Sequence, residues 1–177
     1  MNVSVIVPSL PERWHSLHRL LGQIAEQSHA PVEVLVGVDY QREGPHRVRN
    51  RLVRAATSEF VAFIDDDDEI TPNHLELLAA HALGHDVIWS LCEVKGREWS
   101  PDHRCPPHLM LQHFNSIPMT SLVRRSLFLE VGGFIDDKQE DWRLWQALEA
   151  AGASFRCVHD ITWTYHFTGH NRSLGGV

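Results

Sequence analysis

Four consecutive aspartates occupy residues 65–68, directly behind the apolar run at residues 60–64. The run has the length and composition of a buried strand, so its end delivers four carboxylates to one place. Like charges this close repel and raise one another's pKa, and a divalent cation is the natural compensation. Oxygen ligands suit Mg²⁺ or Mn²⁺, which often bind phosphate-bearing substrates. The alternative is an acidic surface turn, because Asp is common in turns and helix caps.

Size and composition narrow the class of protein. The chain has 177 residues and a formal net charge of −7, which fits one domain and disfavours nucleic acid as a partner. Its three cysteines (Cys92, Cys105 and Cys157) are widely spaced, which favours a reducing compartment over a disulfide framework. No apolar run approaches the ~18 residues of a transmembrane segment, and Pro8 stops the first run too early for a signal peptide. We therefore expect a cytoplasmic protein.

The hydrophobic pattern alternates between strands and helices in the first half of the chain. Short apolar runs predict strands at residues 3–7, 32–38, 60–64 and 86–91. Helices are predicted between them, beginning at Pro11, His46 and Thr71-Pro72. This order is typical of a largely parallel sheet with helices on both faces. The second half predicts strands at 93–100, 119–123, 154–158 and 161–167, with helices at 126–131 and 141–151.

Several short motifs occur in a fixed order along the chain. They are Pro8-Ser9 after the first strand, Asp39 after the second, Gly44 through Arg49-Asn50, the aspartates with Pro72 behind them, Gly132-Gly133-Phe134 and Glu140-Asp141-Trp142. In this order they resemble the family 2 glycosyltransferases, and the match covers essentially the whole chain. The resemblance implies a single α/β domain of the GT-A (Rossmann-like) fold, with a mostly parallel mixed sheet and helices on both faces. Residues 1–92 would bind the nucleotide sugar and residues 93–177 the acceptor.

The resemblance also implies a donor site. Nucleotide-sugar contacts would come from Pro8, Asp39, Arg49, Asn50, Asp65 and Asp66, with Asp39 on the base. A divalent ion, Mn²⁺ or Mg²⁺, would be held by Asp67 and Asp65, with His170 or His166 at the metal or diphosphate. Asp39 could instead simply end a strand in a turn. A UDP-sugar is the first expectation for the donor. Two positions depart from the family pattern, Tyr40 and Pro11, and they leave the choice of nucleotide open.

The Glu140-Asp141 pair is the expected catalytic pair. The resemblance implies that Asp141 removes the proton from the acceptor hydroxyl, that Glu140 orients that hydroxyl, and that the transfer inverts the anomeric centre. Acidic residues are also favoured at a helix start for capping alone, which is the structural alternative. The acceptor could be a glycan, a lipid, a protein or a modified nucleotide, and a partner copy in a homo-oligomer could complete its site.

Other interpretations of the chain stay open at this stage. A nucleotidyltransferase would normally carry a Gly-rich loop after the first strand, and residues 8–13 contain no Gly. A nucleotide-sugar-binding module without activity would have no need for both acidic motifs. A zinc site at His103, Cys105, His108 and His113 fits no standard ligand spacing. That segment is better interpreted as a loop over the acceptor cleft, where Trp99 could stack on a sugar.

Overall fold

The computed structural model describes residues 1–96 and 111–166. Its strands are β1 (Val3–Ser9), β2 (Glu33–Val38), β3 (Phe60–Phe63), β4 (Glu69–Ile70), β5 (Val87–Lys95), β6 (Ser121–Arg124) and β7 (Phe155–His166). Its α-helices are α1 (Trp14–Ala25), α2 (Pro45–Ala55), α3 (His74–Ala80), α4 (Arg125–Glu130) and α5 (Glu140–Ala150), and a 3₁₀ turn (Pro11–Arg13) precedes α1. None of the helices in these ranges has both the length and the apolar character that crossing a bilayer requires.

The strands form one mixed sheet in the order β2-β1-β3-β6-β5-β7-β4. The parallel pairs, β1 with β2, β1 with β3 and β5 with β7, have the longest registers. The antiparallel pairs that β6 forms with β3 and β5 are short. The predicted mostly parallel α/β sheet is therefore confirmed. The sequence did not predict that β6, from the second half of the chain, lies between β3 and β5.

Helices cover the sheet on both faces, as predicted. On one face α1 and α3 bury an apolar cluster against β1 and β3, with Leu17, Leu20 and Leu78 among its members. On the other face α2, α4 and α5 bury a second cluster that contains Val48, Phe128 and Trp145. Burial of this much apolar surface is the main force holding the sheet and its helices together.

Two expectations about the first strands are corrected. β1 does not end at Pro8 but continues to Ser9, with Pro8 opposite Gly37 of β2. The missing N–H of Pro8 is tolerated because the β3 ladder stops at Ile6, so no neighbouring carbonyl needs that donor. The continuous apolar run of β2 predicts a buried strand, but β2 is an edge strand of the sheet, and Val34 and Val36 are exposed. The helical spacing of Trp14 with Leu17 and Leu21 predicts a place on the apolar face of α1, but Trp14 is 60% exposed.

The carboxyl-terminal part of the sheet also differs from the predicted strands. The expected strands at 154–158 and 161–167 are one strand, β7, interrupted opposite Ser90 and Leu91 by an irregular register. The two register shifts leave three residues of β7, His159, Asp160 and Thr162, without a pairing partner in β5, as in a β-bulge. The two-residue strand β4, which pairs with Trp163 and Thr164, was not predicted because two residues show no periodicity. β4 directly follows the aspartates and joins them to the end of β7.

Two of the three cysteines lie in the described ranges. Cys92 is a free thiol, and burial raises its pKa to about 11. Cys157 is disulfide-bonded, which the sequence did not predict.

His74 gives the fold a pH dependence that can be measured. It is fully buried, with Nδ1 2.6 Å from Thr162 Oγ1, and burial lowers its pKa to about 3. As the pH falls below about 6.5, His74 takes up a proton in the unfolded chain but not in the folded chain. The free energy of unfolding therefore receives its full contribution from His74 above that pH and decreases on acidification. We expect His74→Gln to remove a slope of up to about 1.4 kcal/mol per pH unit between the two pKa values. Urea unfolding across this pH range measures the slope, with His18→Gln, an exposed histidine, as the control. A His74→Gln slope equal to that of the wild type would contradict the prediction.

Candidate active site

The aspartates lie where the parallel strands β1 and β3 end at the same edge of the sheet. Asp66 is buried in the turn, where its carboxylate accepts hydrogen bonds from Ser9 Oγ at 2.6 Å and Arg13 Nη1 at 2.8 Å. Ser9 is the last residue of β1, and Arg13 ends the 3₁₀ turn before α1. Asp66 therefore joins two loops of the chain to each other, and each of its oxygens already has a partner.

Asp67 is the more accessible neighbour. Its side chain is 34% exposed, and Oδ2 accepts a hydrogen bond from Arg13 Nη1 at 3.0 Å. Burial and the nearby charges of Asp65 and Asp66 raise the pKa of Asp67, against the opposing effect of Arg13. A carboxylate in this position is short of positive charge and has an open approach from solvent.

Asp68 points the other way, into the protein. It is buried and accepts a hydrogen bond from Thr120 Oγ1 at 2.7 Å. Burial and the charge of Asp65 raise its pKa well above the ordinary value. Thr120, in the segment before β6, was not predicted, because no local pattern connects it to a residue 52 positions earlier. Asp66, Asp67 and Asp68 thus occupy three different environments.

Arg49 of α2 gathers the two acidic motifs into one site. Its buried guanidinium donates to Asp65 Oδ1 through Nη2 and, at 2.6 Å, to Glu140 Oε1 through Nη1. The second bond joins residues 91 positions apart in the sequence. Asp65 and Glu140 are therefore brought together, as the sequence-based assignment of both to one site required.

Asp141 follows Glu140 at the start of α5. Its Oδ2 accepts a hydrogen bond from Asn115 Nδ2 at 2.8 Å, and its Oδ1 accepts one from the backbone N–H of Trp142 at 2.8 Å. Burial raises the pKa of Asp141, and these donors only partly offset the effect. Asn115 was missed by the sequence analysis, because an isolated Asn in a loop carries no pattern. It fixes the direction of the Asp141 carboxylate.

Asp39 and Asn50, both expected to contact the nucleotide, bind the chain itself. Asp39 accepts the backbone N–H groups of Glu43 at 3.0 Å and Gly44 at 2.8 Å. Burial acts to raise its pKa, but these donors hold it below the ordinary value. Asp39 thereby shapes the loop at the carboxyl end of β2.

The side chain of Asn50 both donates to the carbonyl of Phe134 at 2.8 Å and accepts its N–H at 2.9 Å. Gly133 precedes this contact with φ +75°, and a Cβ there would lie 2.4 Å from Asn50 Oδ1. The Gly-Gly-Phe motif is therefore required for the segment to pass close to α2, which also places Phe134 beneath Arg49.

Histidines flank the site on both sides. His166, at the end of β7, has Nε2 3.0 Å from Glu69 Oε1, directly beyond the aspartates. His46 lies on the opposite side, with Nδ1 3.7 Å from Glu140 Oε2. His170, Trp99, His103, Cys105 and His108 lie outside the described residues, whereas His113 is exposed.

The side chains around the aspartates fit a divalent ion that takes some of its ligands from a bound substrate. Within residues 1–96 and 111–166, no three His, Cys, Asp or Glu side chains converge closely enough to hold a metal ion by themselves. Mg²⁺ and Mn²⁺ bound with phosphates need only one or two protein carboxylates. Asp67 and Asp65 are the two aspartates of this cluster with solvent-accessible carboxylates, at 34% and 32% exposure.

Comparison with known proteins gives one consistent result. The family model for "Glycosyl transferase family 2" matches residues 38–139. The chain is 23% identical to "Uncharacterized glycosyltransferase YwdF" of Bacillus subtilis (strain 168), over 98% of this chain and 78% of that protein.

Solved structures of S. aureus TarS share the fold. The complex of TarS 1-349 with UDP has a TM-score of 0.77 at 21% identity, and covers 94% of this chain and 61% of TarS 1-349. The complex with UDP-GlcNAc has a TM-score of 0.79 at 19% identity, and covers 100% of this chain and 62% of the other. The present chain thus spans about three fifths of those TarS chains.

Proposed function

The chain belongs to glycosyl transferase family 2, and from that premise we propose that it transfers a sugar from a nucleoside-diphosphate sugar to an acceptor hydroxyl, with inversion at the anomeric carbon. One observation carries the proposal. Arg49 joins Asp65, beside the accessible carboxylate of Asp67, to Glu140, beside the buried carboxylate of Asp141. A carboxylate that would bind a cation and a carboxylate that would remove a proton are therefore connected through one arginine, which supports a glycosyl transfer.

We place the donor on the half of the chain up to residue 92. UDP is the proposed nucleotide, because TarS, which shares the fold, has been crystallised with UDP and with UDP-GlcNAc. Asp67 and Asp65 would hold Mn²⁺ or Mg²⁺ on the diphosphate. When bound, that ion would stabilise the negative charge that develops on the leaving diphosphate. Pro8, Asp39 and Asn50 would shape this half through backbone contacts, because the side chains of Asp39 and Asn50 already bind the chain itself.

The acceptor half supplies the base. Asp141 takes the proton of the acceptor hydroxyl on one of its carboxylate oxygens as that hydroxyl attacks the anomeric carbon. Burial raises the proton affinity of this carboxylate, which brings a carboxylate base closer to the working pH. Asn115 holds Asp141 in direction at 2.8 Å. Glu140 is bound to Arg49 and therefore serves to orient the acceptor rather than to accept its proton.

Nucleotide binding provides the first test of this function. We expect UDP to raise the Tm of the wild-type protein in the presence of Mn²⁺ more than GDP or dTDP does, because a ligand that binds only the folded state stabilises it by mass action. At a hundredfold excess over Kd the stabilisation is about 2.7 kcal/mol. Differential scanning fluorimetry with each nucleotide, with and without Mn²⁺, measures the effect.

The controls separate the proposed function from its alternatives. Mn²⁺ alone and UDP with EDTA report non-specific and metal-independent binding. Release of UDP from UDP-sugars then distinguishes an enzyme from a module that only binds the donor. If no nucleotide shifts the Tm under any of these conditions, the transferase proposal fails.

A further inference from the structure

Arg49 has the most constrained environment of the charged groups around the site. Its side chain is 4% exposed, and its guanidinium lies 5.5 Å from the centre of the Phe134 ring. The charges of Asp65 and Glu140 raise its pKa even though burial acts to lower it. Both ends of the guanidinium fork are occupied, one by each carboxylate. The guanidinium is therefore held within the chain by two carboxylates, and its burial limits direct contact with a substrate.

The two carboxylates that share Arg49 are not equivalent. Asp65 is 32% exposed, whereas Glu140 is only 13% exposed and has His46 as a second neighbour. One positive charge neutralises two negative charges only in part, so each carboxylate competes for the same guanidinium. A ligand from solvent reaches Asp65 more readily than Glu140. Binding of a ligand at Asp65 therefore changes the strength of the interaction between Arg49 and Glu140.

We infer that Arg49 is a positioning residue that couples the donor side of the site to the acceptor side, so that a divalent ion and nucleotide bound at Asp65 strengthen the hold of Arg49 on Glu140. This inference rests on the proposed function. A cation at Asp65 competes with the guanidinium for that carboxylate, and the released hydrogen-bonding capacity goes to Glu140. Glu140 is then fixed beside Asp141 when the donor is present, which favours binding of the acceptor after the donor.

Coupling of this kind is reciprocal, and this makes it measurable from the donor side alone. If Glu140 and Asp65 compete for Arg49, replacing Glu140 by the neutral Gln removes one competitor, and the guanidinium then interacts more strongly with Asp65. Asp65 is then better neutralised and binds a divalent ion less well. The same substitution would also weaken cation binding through the electrostatic field alone. The field effect does not need Arg49, and the coupling does.

A double-mutant cycle separates the two effects. The Kd of UDP in the presence of Mn²⁺ is measured by titration calorimetry for the wild type, Glu140→Gln, Arg49→Gln and the double variant. Arg49→Lys, alone and with Glu140→Gln, repeats the cycle with the positive charge kept but the planar fork lost, and it serves if Arg49→Gln does not fold. Glu59→Gln is the matched control, because Glu59 pairs with Arg124 before β3 whereas Asp65 follows β3. Tm values without ligand report the fold of every variant.

When Arg49 is present, we expect Glu140→Gln to raise the Kd of UDP about fivefold or more. When Arg49 is replaced, we expect the same substitution to raise that Kd less than about twofold. Glu59→Gln should leave the Kd unchanged. The same fold-change of Kd with and without Arg49 would overturn the coupling and leave only a field effect. An unchanged Kd in Glu140→Gln would overturn it as well. If the wild type binds no nucleotide, the proposed function itself fails, and the coupling fails with it.

Discussion

Asp141→Asn is expected to lower kcat by about a hundredfold to ten-thousandfold, the usual contribution of a positioned general base. The amide has nearly the shape of the carboxylate but does not accept the acceptor's proton. One of the two hydrogen bonds that Asp141 accepts, from Asn115 or from Trp142, must weaken, because an amide has a single acceptor oxygen. The proposed donor position is at Asp65 and Asp67, on the other side of the site, so KM for the donor should change little. Initial rates of UDP release with a UDP-sugar and acceptor measure both parameters.

Glu149→Gln is the matched control for this prediction. Glu149 lies on the same helix, α5, and accepts a hydrogen bond from the Gln112 amide at 3.0 Å, much as Asp141 accepts one from Asn115. Its removal should leave kcat within about twofold, as expected for a surface group away from the reaction. A normal kcat in Asp141→Asn would exclude Asp141 as the base. If Glu140→Gln lowered kcat and Asp141→Asn did not, the base would be Glu140 instead.

The parts of this site that sequence could predict are those that depend on residue type and order. An apolar strand followed by carboxylates had to place those carboxylates at the sheet edge, and the Glu-Asp pair had to begin a helix. Trp145 and Leu148 are spaced to share one stripe of α5, which predicts a core position, and both are fully buried. These features follow from periodicity, which is a property of neighbouring residues.

The contacts that give each carboxylate its role could not be predicted in the same way. Ser9 with Asp66, Thr120 with Asp68 and Asn115 with Asp141 join residues distant in sequence, so tertiary packing decides them. Asp39 shows a further limit, because a motif position does not say whether its carboxylate faces a ligand or its own backbone.

Substitution of the aspartates distinguishes a metal-binding site from an acidic surface turn. Asp67→Asn should remove the Mn²⁺-dependent part of UDP binding and lower turnover by about a hundredfold or more, because metal stabilisation of a leaving group contributes several kcal/mol. Asp66→Asn should act differently, because Asp66 is buried on Ser9 and Arg13. Loss of a buried charged hydrogen bond costs about 1–3 kcal/mol of folding stability. Its main effect should therefore be a lower Tm.

The Tm of Asp67→Asn without ligand distinguishes a binding carboxylate from a structural one. Burial and the neighbouring aspartates raise the pKa of Asp67, so its ionised form near neutral pH opposes folding. The neutral amide relieves that repulsion, and it loses only one hydrogen bond, to the partly exposed Arg13. We therefore expect a Tm equal to or above that of the wild type, together with the loss of Mn²⁺-dependent UDP binding. Asp160→Asn, an exposed aspartate in β7, is the control. An Asp67→Asn protein with a lower Tm and intact UDP binding would show that the aspartates form only an acidic turn. A carboxylate that binds a cation from outside the chain is expected to destabilise the ligand-free protein and yet be required for Mn²⁺-dependent binding of UDP.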